Sequence, residues 1–344
     1  MRKFLARPYI WLPLATFLAL ALGGELVLRA AEKPTFLPPH PKALVKQPVW
    51  ASMVHVRSSS PSLPYELNAG YEGVALGTRI KINSLGFRGD EPLAADTPRL
   101  TRIVAIGDSF TFGLGLDQDL DVPTQLEELL RAREPACGRA FDVVNCGVTG
   151  YDTTEEASLL RERAMALDPH VVIVGYSLND PEDLPMQPLH AYFHRPSWWQ
   201  HSNLLRSLAE KRRAWQIRQY GKGVYFDFLD APDGPQWPRV AAAFDDIRAQ
   251  CEQRGVPAVL VVFPMLSVKT WEEYDKTFGR IHEHVGREAR ARGFTVLDPC
   301  AALRVHSIAD VTLSPADCHL NALGCRIVAE ELEPLVRSLL DRHE

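Results

Sequence analysis

The chain has 344 residues, 46% hydrophobic and 24% charged, with a formal net charge of −5 at pH 7. That apolar share can fill a large core and excludes a disordered chain, and a mixed, mildly acidic charge leaves no basic stripe for nucleic acid. Six cysteines match no zinc-binding spacing, so no metal is expected.

Arg2, Lys3 and Arg7 precede an apolar run from Tyr9 to Gly24, which Glu25 interrupts before Leu26, Val27 and Leu28. Counted to Leu28, the run approaches the roughly 20 residues that cross a bilayer, with Glu25 and Arg29 at its far interface. A cleaved signal peptide is the rival, but cutting after Ala31 would put Arg29 three positions back, where a small residue belongs. Residues 1–32 are therefore expected to be a signal anchor of a single-pass bacterial membrane protein. The early positive charges stay cytoplasmic, and the catalytic part lies in the periplasm or another extracytoplasmic space. Residues 33–64, rich in proline and serine, read as a linker. Residues 65–100 read as a small β-rich preamble, with Arg79-Ile80-Lys81-Ile82 alternating and Asn83-Ser84-Leu85-Gly86-Phe87-Arg88-Gly89 closing it.

From residue 101 onward, strand-like runs alternate with helical patterns. The strands are expected at Ile103 to Gly107, Phe141 to Asn145, His170 to Gly175, Ala258 to Phe263 and Phe294 to Leu297. The helices are expected at Val122 to Arg133, Thr154 to Leu167, Arg239 to Arg254, Trp271 to Arg292 and Ala322 to Asp341, with Thr153 and Glu156 as a capping box for the second. This alternation gives an α/β fold, a parallel sheet with helices on both faces.

The chemistry starts at Arg102 to Phe110, where an apolar run ends in Gly107-Asp108-Ser109. A strand buried on both faces would there deliver a serine hydroxyl to the sheet edge where ligands bind. Serine is a weak nucleophile at neutral pH, so it needs a base, an orienting group for that base, and donors for the developing oxyanion. The base candidate is His319, in Asp317-Cys318-His319-Leu320-Asn321, and the donor candidates are Gly150 and Asn179.

In this order the blocks Gly107-Asp108-Ser109-Phe110, Asn145-Cys146-Gly147-Val148-Thr149-Gly150, Asn179-Asp180 and Asp317 to His319 resemble the SGNH/GDSL hydrolase family, over roughly Ile103 to Leu340. The resemblance implies a three-layer α/β/α sandwich with a mainly parallel five-stranded sheet of flavodoxin-like type. It implies Ser109 as nucleophile, His319 as base, Asp317 as its carboxylate, Gly150 and Asn179 as oxyanion donors, and no cofactor. Two positions depart from the family pattern: Ser177 stands where a glycine is usual, and Asp317 lies one residue later than usual, at the place after Ala316. Asp310 is the fallback carboxylate. A preamble ending like Asn83 to Gly89 is also familiar in membrane-anchored members.

Residues 181–238 interrupt the alternation, inside a hydrolase domain of 101–344. The insertion holds Tyr192, Phe193, Trp198, Trp199, Trp215, Tyr220, Tyr225, Phe226, Phe228 and Trp237, with Lys211, Arg212, Arg213, Arg218 and Lys222. These aromatics either stack on sugars or line an acyl pocket, or they form a small core of their own. The basic stretch Ser202 to Tyr220 either rests on anionic lipid or is a solvated face. His190 and His194 share a spacing but lack a completing carboxylate, and His282 and His284 point to different sides of a helix. If any cysteines pair, Cys300 with Cys318 is favoured, since both fall on loops near the catalytic edge.

The substrate is then an ester: an O-acetyl or short acyl group on a carbohydrate or small molecule. The alternatives are a lipase or lysophospholipase, a polysaccharide O-acetyltransferase, and a non-catalytic glycan-binding envelope protein.

Overall fold

The computed structural model describes residues 8–31, 53–75, 77–133, 138–182, 189, 193, 198–222 and 224–343. Cys137, His190, Tyr192, His194, Arg2, Lys3, Arg7 and residues 33–52 of the expected linker lie outside them. The chain opens with helix α1 (Pro8–Ala30). Its segment Trp11–Ala30 has a mean hydropathy of 1.8 and none of it is buried, so by length and composition it is able to cross a membrane. Residues 53–64 are packed instead of extended: Val54 and Leu63 are buried, and β1 (His55–Arg57) pairs antiparallel with β2 (Tyr65–Leu67). A second hairpin joins β3 (Glu72–Ala75) to β4 (Thr78–Lys81).

The central sheet has five parallel strands in the order β6-β5-β7-β8-β9. They are β5 (Leu100–Gly107), β6 (Ala140–Asn145), β7 (Val171–Tyr176), β8 (Ala258–Val262) and β9 (Thr295–Leu297), all near the expected positions. Strand β5 is buried from Thr101 to Gly107, as its uninterrupted apolar run requires. The chain runs outward from β5 to β6 and then turns back past β5 to β7. Right-handed crossovers therefore put helix α3 (Val122–Arg133) on one face and α4 (Thr153–Glu162), α6 (Trp237–Arg254) and α7 (Arg280–Ala291) on the other. Between β5 and α3 lies a single turn, α2 (Ser109–Phe112), and within the insertion lies α5 (Asn203–Gly221). The closing helix α8 (Ala322–His343) packs on α3 and completes the three layers.

Three local expectations are corrected. The capping box of α4 is Asp152 with Glu155, one residue earlier than expected, because the chain enters the helix at Thr153. The long helix expected from Trp271 is broken by a π turn at Asp275–Gly279. Cys300 and Cys318 are free, as are Cys146, Cys251 and Cys325. Cys300 opens a short helix beside the His282 ring, while Cys318 lies on a different hairpin.

The Asn83-to-Gly89 segment packs against the catalytic edge. Arg88 bridges to Asn145 at the end of β6, and its buried guanidinium donates to the carbonyls of Phe112 and Gly113 at 2.7 Å each and of Leu116 at 2.8 Å. It stacks on the Phe112 ring and lies 3.6 Å from the buried Asp121 carboxylate. Those carbonyls end α2, so the preamble fixes the far side of the turn that carries Ser109. Arg88→Met leaves Asp121 buried without its cation and is expected to lower unfolding stability by about 3–5 kcal/mol, measured by urea denaturation.

Candidate active site

The turn after β5 is compact because Thr111 packs against the α-carbons of both Gly107 and Gly175, leaving no room for a Cβ at either. Asp108 caps α2, its Oδ1 accepting the Phe110 amide at 2.9 Å. Ser109, the first residue of α2, projects its hydroxyl toward a histidine from the other end of the chain. Ser109 Oγ is 2.7 Å from His319 Nε2, and His319 Nδ1 is 2.6 Å from Asp317 Oδ1. The Asp317 carboxylate also accepts the His319 backbone N–H at 3.1 Å.

Strand geometry explains the shifted aspartate. Asp317 and His319 lie on β11 (Asp317–Leu320), which pairs with β10 (Thr312–Ser314). Residues two apart on a strand share a face, so this spacing carries the carboxylate to the imidazole without a turn. The hydrogen bond from His319 holds the Asp317 carboxyl below its ordinary range against the opposing effect of burial. An ionised Asp317 fixes the proton on Nδ1, which leaves Nε2 to accept from Ser109. Phe110 packs on the imidazole with ring centroids 4.6 Å apart and is itself stacked on Phe263. Asp310 is elsewhere, capping a short helix from Ser307.

Asn179 follows β7 on the same sheet edge, and its Oδ1 lies 2.8 Å from the hydroxyl of the buried Ser177. That hydroxyl also lies 2.8 Å from Asp108 Oδ2 and 2.9 Å from Asp180 Oδ1. One hydroxyl proton cannot serve three acceptors, so at least one buried carboxyl must keep a proton and donate to Ser177. Burial, then the charge of Asp108, pushes Asp180 well above the ordinary carboxylate range, while its Oδ2 accepts from Thr153 at 2.9 Å. Burial, then Asp180, raises Glu156 in the same way.

Gly150, after β6, takes a left-handed φ of 83° that favours glycine. Its loop is held by the Val148 amide donating to Gly107 O at 2.9 Å and by the Tyr65 hydroxyl donating to Thr149 O at 2.9 Å. The Tyr151 hydroxyl returns to the Tyr65 carbonyl. Thus Ser109, His319 and Asp317 are in direct contact, Asn179 joins them through Ser177 and Asp108, and Gly150 sits on the neighbouring strand end.

Sequence reading missed Arg88, Phe110, Phe263 and the Ser177 network. Ser177 carried a signal as an unusual residue two before Asn179, while Phe110 and Arg88 were visible only as members of the Gly107 to Phe110 and Asn83 to Gly89 segments. Within the insertion, Phe193 packs on Tyr65, Phe228 lies under the Arg213 guanidinium, and Trp237 packs on His284, so these aromatics serve a core. Among the described residues, two trios, His282-Asp298-Cys300 and Asp317-Cys318-His319, bring metal-binding atoms within 4.8 Å of one another. In each, both histidine nitrogens already face protein partners: Tyr274 and Asp298 for His282, Ser109 and Asp317 for His319.

Comparison with known proteins gives one family. The model of the GDSL-like lipase/acylhydrolase family matches residues 105–327. Among solved structures, the chain is similar to a lipolytic protein of the G-D-S-L family from Desulfitobacterium hafniense, described as putative, at 16% identity and a TM-score of 0.42, covering 68% of this chain and 98% of that one. It is also similar to an acetylxylan esterase from Geobacillus stearothermophilus at 17% identity and a TM-score of 0.43, covering 70% and 94%. No curated protein sequence matches.

Asp180→Asn mimics the protonated carboxyl, since an amide still accepts from Thr153 and donates to Ser177. A carboxyl whose folded pKa is raised contributes its full stability below its unfolded pKa, about 4, and loses it as the pH climbs toward the folded value. The wild-type melting temperature should therefore fall more steeply than that of Asp180→Asn as the pH rises from mildly acidic to alkaline. Parallel curves would show that Asp180 is not the proton carrier.

Proposed function

The chain belongs to the GDSL-like lipase/acylhydrolase family and is an ester-hydrolysing serine hydrolase; from that premise we propose that it removes an O-acetyl or other short acyl group from a carbohydrate or small molecule. The observation that carries this reading is the continuous relay from Ser109 Oγ through both nitrogens of His319 to Asp317, at 2.7 and 2.6 Å.

The contacts among Ser109, His319 and Asp317 support the following steps. His319 Nε2 takes the Ser109 proton as Oγ attacks the acyl carbonyl carbon. The resulting oxyanion is received by the Ser109 and Gly150 amides and the Asn179 side-chain N–H. His319 then passes its proton to the departing alkoxide, leaving an acyl-serine. Water, deprotonated by His319, attacks that acyl group, and the proton returns to Ser109 as the acid is released. Asp317 stabilises the imidazolium in both halves. Ser177 holds Asn179 through its Oδ1, which leaves the amide N–H group for the oxyanion in this reading.

The proposed organisation is an anchor at 1–32, a linker that starts at 33 and ends before the packed segment at 53, a preamble that includes the β1–β2 pair and runs to 100, and the hydrolase domain at 101–344 with its insertion at 181–238. Helix α1 supports a single-pass anchor that keeps the enzyme on the outer side of a bacterial inner membrane.

The test is turnover of p-nitrophenyl acetate, butyrate and octanoate by the full chain in detergent. Acetate should be preferred, and Ser109→Ala should remove turnover by several orders of magnitude. A preference for octanoate would favour a lipase, and equal rates from folded wild type and variant would exclude this site as an esterase. Ser177→Ala should lower kcat with little change in KM, because the oxyanion donor matters most in the transition state.

A further inference from the structure

Helix α5 is built the wrong way round for a helix facing water. At 100° per residue, Leu204, Leu208, Lys211, Trp215 and Arg218 fall within a sector of roughly 80° on one side. Arg206 and Arg213 fall on the opposite side and are the buried ones, each only 6% exposed, with Arg213 lying over Phe228. The outward sector instead exposes 52% of Leu208 and 54% of Trp215, interleaved with cations. Trp198, on the turn just before α5, is 80% exposed.

This stripe is continuous with the apolar anchor. Glu25 of α1 caps α5, accepting the Ser202 hydroxyl at 2.8 Å and the Asn203 and Leu204 amides at 3.0 and 2.8 Å. Arg29 pairs with Glu25 at 2.6 Å and donates to His201 O at 3.1 Å, and Leu204 packs beside Gly24. The start of α5 is thereby fixed at the polar end of α1, the level of the bilayer surface if α1 spans it.

We propose that α5 lies on the surface of the bilayer entered by α1, its Leu208 and Trp215 inserted among the acyl chains and its Lys211 and Arg218 on anionic phospholipid headgroups. Apolar side chains alternating with cations on one face are what an interfacial helix needs. Charge complementarity and continuity with α1 both select a lipid surface as the occupant. The inference rests on the reading of α1 as a membrane anchor. The hydrolase domain is then held to the membrane at two points, which fixes its orientation as well as its distance.

The experiment places the photoreactive residue p-benzoylphenylalanine, one site at a time, in place of Leu18, Leu208, Trp215 or the exposed Val305 of the full chain. Each protein is reconstituted in vesicles of phosphatidylethanolamine and phosphatidylglycerol, irradiated, and analysed by mass spectrometry for phospholipid adducts. Adducts are expected at 18, 208 and 215 and not at 305, and the yield at 215 should drop at least several-fold when Lys211→Glu and Arg218→Glu are added. Adducts at 18 without any at 208 or 215 would overturn the α5 contact and leave the anchor standing. Absence of adducts at 18 as well would overturn the anchor reading and the contact with it.

Discussion

Ser109 and His319 are separated by 210 residues, yet they meet at 2.7 Å, and most of the architecture is arranged around that contact. The hydroxyl is delivered by the end of β5, an interior strand of the sheet. The imidazole is delivered by a two-strand hairpin outside the sheet, immediately before the last helix. Neither element alone fixes the distance. It depends on α8 packing against α3, and on Phe110 filling the space beside the ring, so the contact reports on the whole fold.

Beneath it lies a second constraint, set by proton count. Ser177 is surrounded by oxygens of Asp108, Asn179 and Asp180, and its single proton cannot satisfy them all. Burial solves the problem by keeping a carboxyl protonated. The result is a hydrogen-bonded floor that ties the cap of the nucleophile turn to the candidate oxyanion donor without a net charge on every acid. A glycine at 177 would remove this link, so the departure from the family pattern is a local reinforcement in this chain.

The strands were legible because each follows from local pattern, a buried apolar run followed by a turn; Ser109, Gly150, Asn179 and His319 were singled out by their order along the chain and its resemblance to a known family. What was not legible depends on distant partners. Arg88 looks like a surface residue of a small hairpin segment until Phe112, Gly113, Leu116 and Asp121 are seen around it. Asp317 stood out because it lies one residue later than the family spacing, whereas a strand makes the two-residue spacing natural. The capping box slipped by one residue because Thr153 and Asp152 are both acceptable caps, and tertiary entry into the helix decides between them. Glu156, freed from capping, is buried in the acid cluster instead.

The most direct test of the relay is covalent: treat the full chain with diethyl p-nitrophenyl phosphate and locate the modified residue by peptide mass spectrometry. A single diethylphosphoryl group is expected on Ser109, formed quickly in the wild type and very slowly in His319→Ala, whose serine has lost its base. Labelling of a different residue, or equal labelling rates in the wild type and His319→Ala, would contradict it.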